Sequence, residues 1–214
     1  MEFPEIQKIS RQLNDVLRGK RFIDIMLNDH SEKLIKWGFM NLHKRDVVGL
    51  DIEEVFTRGV YSIVRFNNGL NLVFGDLIGK ILYHPNKSRL PSKYTLLFSL
   101  SDRSFLSLQV STYGYALVLN DKELSGHKVI GNQGVTPIDS NFSFGYFEEV
   151  LEKYSNKHIK KLQFAYDSIS GFQNGYFQDT LLCAGILPYR KISKLTREER
   201  EKLYNCMVNI SKNA

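Results

Sequence analysis

Apolar positions recur along this chain at two different periods, and the change from one to the other divides it. Near the amino end, Ile6, Ile9, Leu13 and Leu17 recur at helical spacing behind Pro4, which suits a first turn, and Gly19 follows. This predicts a helix over residues 3–18. From residue 20 the pattern shortens towards alternation, predicting strands at 20–28, 47–50, 53–58, 61–66, 70–75, 94–100, 104–110 and 115–119. Asn67, Asn68 and Gly69 supply a hairpin turn, Ser101, Asp102 and Arg103 another, and residues 85–93 a polar, proline-bearing loop. Residues 30–41 are ambiguous, with a short helix around Trp37 as one reading. Many short strands with turns at regular spacing argue for a β-sandwich.

Beyond a connector at residues 121–141, rich in Gly, Asn and Asp, the period becomes helical. Helices are predicted at 147–154, 157–166, 174–184 and 197–210, and Thr196 with Glu199 forms a capping box. The expected fold class is α+β: a β-sandwich domain with a leading helix over residues 1–125, a linker over 126–145 and an all-α domain over 146–214.

Composition changes this picture little. Of 214 residues, 43% are hydrophobic and 24% charged, which suits an ordinary water-facing domain. No run is apolar over the ~18 residues a membrane span needs, and no signal-peptide core is present, so no membrane partner and a cytoplasmic location are expected. A net charge of +6 mildly favours an anionic partner. Cys183 and Cys206 both fall on predicted helices in apolar company and read as small buried hydrophobes. The histidines show no metal-ligand spacing, and no nucleophile elbow or phosphate loop occurs.

The densest signal lies at residues 171–188, GFQNGYFQDTLLCAGILP. A glycine turn leads to Asn174, a good N-cap residue. Tyr176, Leu181 and Ala184 form an apolar stripe widened by Phe177 and Leu182, and Gly185 and Pro188 end the helix. Such a helix start carries free N–H groups and a positive dipole end, a natural seat for phosphate. Gly171, Asn174, Tyr176, Asp179, Leu181, Ala184, Gly185, Ile186, Pro188 and Arg190, continuing through Lys194, Leu195 and Thr196, resemble the helix–two-turns–helix of the formamidopyrimidine-DNA glycosylase/endonuclease VIII family of base-excision repair enzymes. Residues 1–6, MEFPEI, resemble the family's amino terminus, and residues 134–142, GVTPIDSNF, its entry to the helical domain.

The resemblance implies a glycosylase and abasic-site lyase acting on damaged double-stranded DNA, as a monomer. In the family an N-terminal proline amine attacks the sugar C1′, displaces the damaged base and forms a Schiff base, while the next residue, a glutamate, shuttles protons. Here Met1 and Glu2 occupy those two positions, so the expected catalytic pair is Met1 and Glu2 with a primary amine in place of the proline's. Asn174, Lys160, Lys161 and Gly171 are the expected DNA-binding residues of the helical domain. Leu77 and Tyr113 stand where the family places residues that fill the gap left by a flipped-out nucleotide. Val60 stands where the family has a phosphate-contacting lysine. The family usually closes with a four-cysteine zinc finger; this sequence has no such cysteine pairs, so neither zinc nor another cofactor is expected. These departures mark a divergent member and keep a second reading open, a nucleic-acid-binding module that retains the scaffold without the chemistry.

Overall fold

The computed structural model describes residues 3–42, 46–75, 79–112 and 114–213, and of Asp29 the backbone alone. The described chain forms two compact units, one of Ile6–Gly126 and one of residues 127–213 joined by residues 3–5.

In the first unit, helix α1 (Phe3–Leu17) precedes eight strands: β1 (Phe22–Leu27), β2 (Ile52–Arg58), β3 (Tyr61–Phe66), β4 (Leu70–Gly75), β5 (Gly79–His84), β6 (Leu96–Leu100), β7 (Phe105–Val110) and β8 (Tyr115–Asn120). They make two four-stranded antiparallel sheets, ordered β1-β6-β7-β5 and β2-β3-β4-β8. Alternation turns one set of side chains inward from each sheet. Phe22, Phe66, Phe74 and Phe98 meet there with Leu13 and Leu17 of α1, all buried. The Phe22 and Phe98 rings lie 4.7 Å apart, and Phe22 and Phe66 meet edge-on at 5.9 Å. The α+β sandwich expected from the alternation is present.

Several elements differ from the sequence reading. The segment around Val48 is not a strand: it makes one isolated parallel bridge to Phe22. The ambiguous region holds α2 (Asp29–Lys36), started by the Asn28 side chain accepting from the N–H groups of His30 and Ser31. Strand β5 lies between segments the alternation had marked, and pairs with β7 from Gly79↔Val110 to His84↔Phe105. The first residues of the expected connector are α3 (Asp121–Gly126), in a small cap where the Asn120 side chain accepts from the Glu123 N–H and Glu123 accepts from the Asn120 N–H, both at 2.9 Å.

The second unit contains α4 (Phe144–Lys153), α5 (Asn174–Ala184) and α6 (Arg197–Asn213). The expected helix at 157–166 is instead a 3-10 turn over Ile159–Phe164. Its first N–H groups are spent outside the element, Ile159 donating to Arg190 O at 2.8 Å and Lys160 to Pro188 O at 3.1 Å. Phe142, Phe147, Leu151, Phe177, Leu181, Ile192, Leu203 and Met207 form a core of their own. Among the described residues no helix is long and apolar enough to cross a membrane.

The cysteines depart most from expectation. Cys183 on α5 is exposed, Cys206 on α6 is buried, and the two form a disulfide with Cα atoms 6.0 Å apart. Both had been read from apolar neighbours along the chain, but helical rotation carries Cys183 off the buried face of α5 and against α6. Leu182 is likewise on the outside: the buried face is Phe177, Thr180, Leu181 and Ala184.

Candidate nucleic-acid interface

The start of α5 is held by backbone contacts from both sides. Gly134 N–H donates to Tyr166 O at 2.8 Å, Ser170 N–H to Val135 O at 3.0 Å, and the Ser170 hydroxyl to Gly134 O at 2.9 Å. The chain then turns at Gly171 with φ 87°, a conformation that L side chains avoid. A Cβ there would lie 2.4 Å from Phe3 Cβ, and Phe3 N–H donates to Gly171 O at 3.1 Å. Gly171 is therefore required twice over, by its backbone angle and by the close approach of Phe3.

Asn174 is the first residue of α5 and not its N-cap, which corrects the sequence reading. Gln173 holds the cap position with extended backbone, and its carbonyl accepts from Phe177 N–H at 3.1 Å, so the first turn closes one residue earlier than expected. Released from capping, the Asn174 side chain is exposed and its Oδ1 accepts from Gln178 Nε2 at 2.9 Å. That contact orients the amide and leaves its NH₂ as the group able to donate outward.

At the far end, Gly185 adopts φ 73° and closes the helix, its N–H and that of Ile186 donating to Leu182 O and Leu181 O. The following turn is locked to α6 by Arg190, whose guanidinium donates to Glu199 Oε1 at 2.8 Å, to Glu199 Oε2 at 3.0 Å and to Lys194 O at 2.8 Å. Glu199 also accepts from Thr196 N–H at 2.8 Å while its own N–H donates to Thr196 Oγ1 at 3.2 Å, so the expected capping box is formed. The Thr196 N–H first, and then Arg190, hold the Glu199 carboxyl below the usual carboxylate range. Arg190's clamp was not foreseen; a bidentate partner nine residues away is a tertiary fact that no local pattern announces.

Between these two ends lies a groove of about 630 Å³ whose lining includes Lys160, Gln163, Asn174, Leu182, Leu187 and Tyr189. The structure thus brings Lys160 and Asn174 to one surface depression beside the helix start. Lys161, its neighbour, does not line the groove; it turns towards Phe164, with Nζ 5.5 Å from the ring centroid. Met1, Glu2, Leu77 and Tyr113 lie outside the described residues. Val60, after the Gly59 turn between β2 and β3, is buried and apolar. Among the described residues no group of three His, Cys, Asp or Glu side chains is placed to hold a metal ion.

No protein-family model matches the chain. Curated relatives do. The formamidopyrimidine-DNA glycosylase of Streptococcus mutans is 26% identical over 210 residues, covering 98% of this chain and 76% of the relative. That of Bacillus cereus is 25% identical over 209 residues, covering 97% and 75%. Among solved structures, Lactococcus lactis Fpg in complex with abasic-site DNA superposes with a TM-score of 0.85 at 21% identity, over 100% of this chain and 78% of that one. The MutM (Fpg) protein of Thermus thermophilus gives 0.81 at 20% identity, over 100% and 76%. The match therefore runs through the sandwich and the helical unit alike.

Proposed function

We propose that this chain, which belongs to the formamidopyrimidine-DNA glycosylase/endonuclease VIII family, is a DNA-repair protein that binds double-stranded DNA at damaged or abasic sites and removes bases through an N-terminal amine. The observation that carries the reading is the match to curated glycosylases along nearly the whole chain, at 25–26% identity. A structural neighbour from Lactococcus lactis was solved with abasic-site DNA, which is the substrate class proposed for this chain.

The proposed grip is the start of α5. The Asn174 amide donates to a backbone phosphate oxygen, the dipole of the helix start favours the same charge, and Lys160 adds a cation from across the groove. These contacts position the duplex without reading sequence. Lys161, on the next face, serves a neighbouring phosphate. Gly171 acts through the turn it permits rather than through contact. Leu77 and Tyr113 are proposed to wedge into the gap that a flipped-out nucleotide leaves.

The proposed chemistry belongs to Met1 and Glu2. An α-amine titrates close enough to neutrality that a useful fraction carries a free lone pair at pH 7. That lone pair forms a bond to the sugar C1′ as the bond to the base breaks, and the resulting Schiff base prepares strand cleavage. Glu2 carries protons between the amine, the sugar and the departing base. Support comes from the residue that follows them: Phe3 is buried and its N–H is fixed to Gly171 O, which anchors the chain immediately after the pair. We place the protein in the cytoplasm.

The test is reductive trapping. Untagged protein is incubated with an abasic-site duplex and borohydride, and a covalent protein–DNA adduct is expected. Absence of an adduct, under conditions that trap a glycosylase of this family, would overturn the amine chemistry.

A further inference from the structure

The second unit exposes more aromatic surface than its fold requires. Phe164 is 63% exposed and Tyr189 72%, and both flank the same short stretch of backbone, since Lys160 N–H donates to Pro188 O beside Tyr189. Each ring has a lysine on it: Lys160 Nζ is 5.9 Å from the Tyr189 centroid, and Lys161 Nζ 5.5 Å from that of Phe164. With three residues per turn, the 3-10 element puts Lys160 with Gln163 on one face and Lys161 with Phe164 on the next. Lys157 and Lys191 extend the same stretches of chain. None of these lysines is in an ion pair among the described residues, whereas Lys153, Arg190, Arg197 and Arg200 of the same unit all are. Gln163 Oε1 is buried within the groove lining and has no hydrogen-bond partner.

Aromatic faces interleaved with unpaired cations suit one ligand chemistry best. A duplex keeps its base faces stacked on one another, so it offers phosphates to the lysines and nothing to the rings. An apolar protein surface would cover the rings but strand several ammonium groups away from water. Unpaired nucleotides satisfy both: bases stack on the rings, phosphates meet the lysines, and any base can present an N–H to Gln163 Oε1.

We propose that the face formed by Phe164, Tyr189, Lys160, Lys161 and Gln163 is a stacking platform for unpaired nucleotides, so that the protein favours DNA with a single-stranded segment beside the duplex it grips. The inference rests on the nucleic-acid reading of the α5 start, and extends it from duplex backbone to unpaired bases.

Fluorescence anisotropy on the full chain separates the two. The probes are a blunt abasic-site duplex and the same duplex carrying a single-stranded tail of about ten nucleotides. Wild type is expected to bind the tailed duplex about tenfold more tightly than the blunt one. The double variant Phe164→Ala with Tyr189→Ala should lose that preference, read as the ratio of its own affinities for the two probes; Tyr189→Phe, which retains the ring, should keep it. Both side chains are exposed, so the fold should persist, and circular dichroism checks this. Equal wild-type affinity for the two probes, or an unchanged preference in the double variant, would overturn the platform and leave the duplex grip standing. Binding of neither probe by wild type would overturn both.

Discussion

At the scale of single residues, the second unit depends on a few positions whose roles are stereochemical. Gly171 is one. Replacing it by alanine forces an L side chain into a left-handed backbone and drives its Cβ against Phe3, so Gly171→Ala should destabilise the protein by about 2 kcal/mol or more in chemical denaturation. Glu199 is another, because it closes the capping box and holds Arg190. Glu199→Gln should cost about 1–2 kcal/mol at pH 7. The pH dependence has a definite sign. A carboxyl whose folded pKa is depressed stabilises the fold above its unfolded pKa, and that contribution is lost as pH falls through the folded value. The gap between wild type and Glu199→Gln should therefore be full at neutral pH and close in acid, as urea titrations at several pH values will read. Gly185 and the capping box were legible in the sequence because their signals are local: a left-handed stop, and two side chains three residues apart. Asn174 was legible as a helix-start residue but misassigned by one position, since its cap role depended on how Gln173 bends, and the Arg190 clamp depended on packing alone.

At the scale of elements, the sandwich strands followed from alternation, and so did α1, α5 and α6 from helical spacing. What failed shares a cause. The 157–166 segment had helical composition, but it closes with three-residue bonds, Lys161 N–H donating to His158 O and Ala165 N–H to Leu162 O, while Ile159 and Lys160 tie to the backbone at Arg190 and Pro188. Strand β5 was missed because its identity comes from pairing with β7, where the Gly79 site would bring a Cβ within 1.8 Å of Gln109 O and so admits only glycine. The cysteines were misread because their partnership joins α5 to α6 across 23 residues of sequence. A bond closing such a loop stabilises by about 2–4 kcal/mol, so reductant or Cys183→Ser should lower the melting temperature of the helical unit. An identical melting curve with and without reductant would contradict that account.

At the scale of the whole molecule, the order of helix, sandwich, connector and helical unit agrees with the glycosylases throughout their matched length. Val60, read from the sequence as standing where the family has a phosphate-contacting lysine, is buried and apolar. The scaffold was readable because many positions vote for it. The proposed site was less so, because it rests on a few residues, four of which lie outside the described structure. If the α5 start is the phosphate grip, its signature is electrostatic. Asn174→Ala and Lys160→Ala should each weaken duplex binding, and only the lysine change should reduce the slope of log affinity against log salt, by about one.

The central claim, that this protein grips damaged duplex DNA through the start of α5, is tested most directly by an equilibrium titration of the wild type and the Asn174→Ala, Lys160→Ala double variant. Each is titrated against an abasic-site duplex and an undamaged duplex of the same sequence, at fixed salt. The account predicts tighter wild-type binding to the abasic duplex and a loss of about tenfold or more in the double variant on both DNAs. Equal wild-type affinity for the two duplexes, or a double variant that binds as well as the wild type, would contradict it.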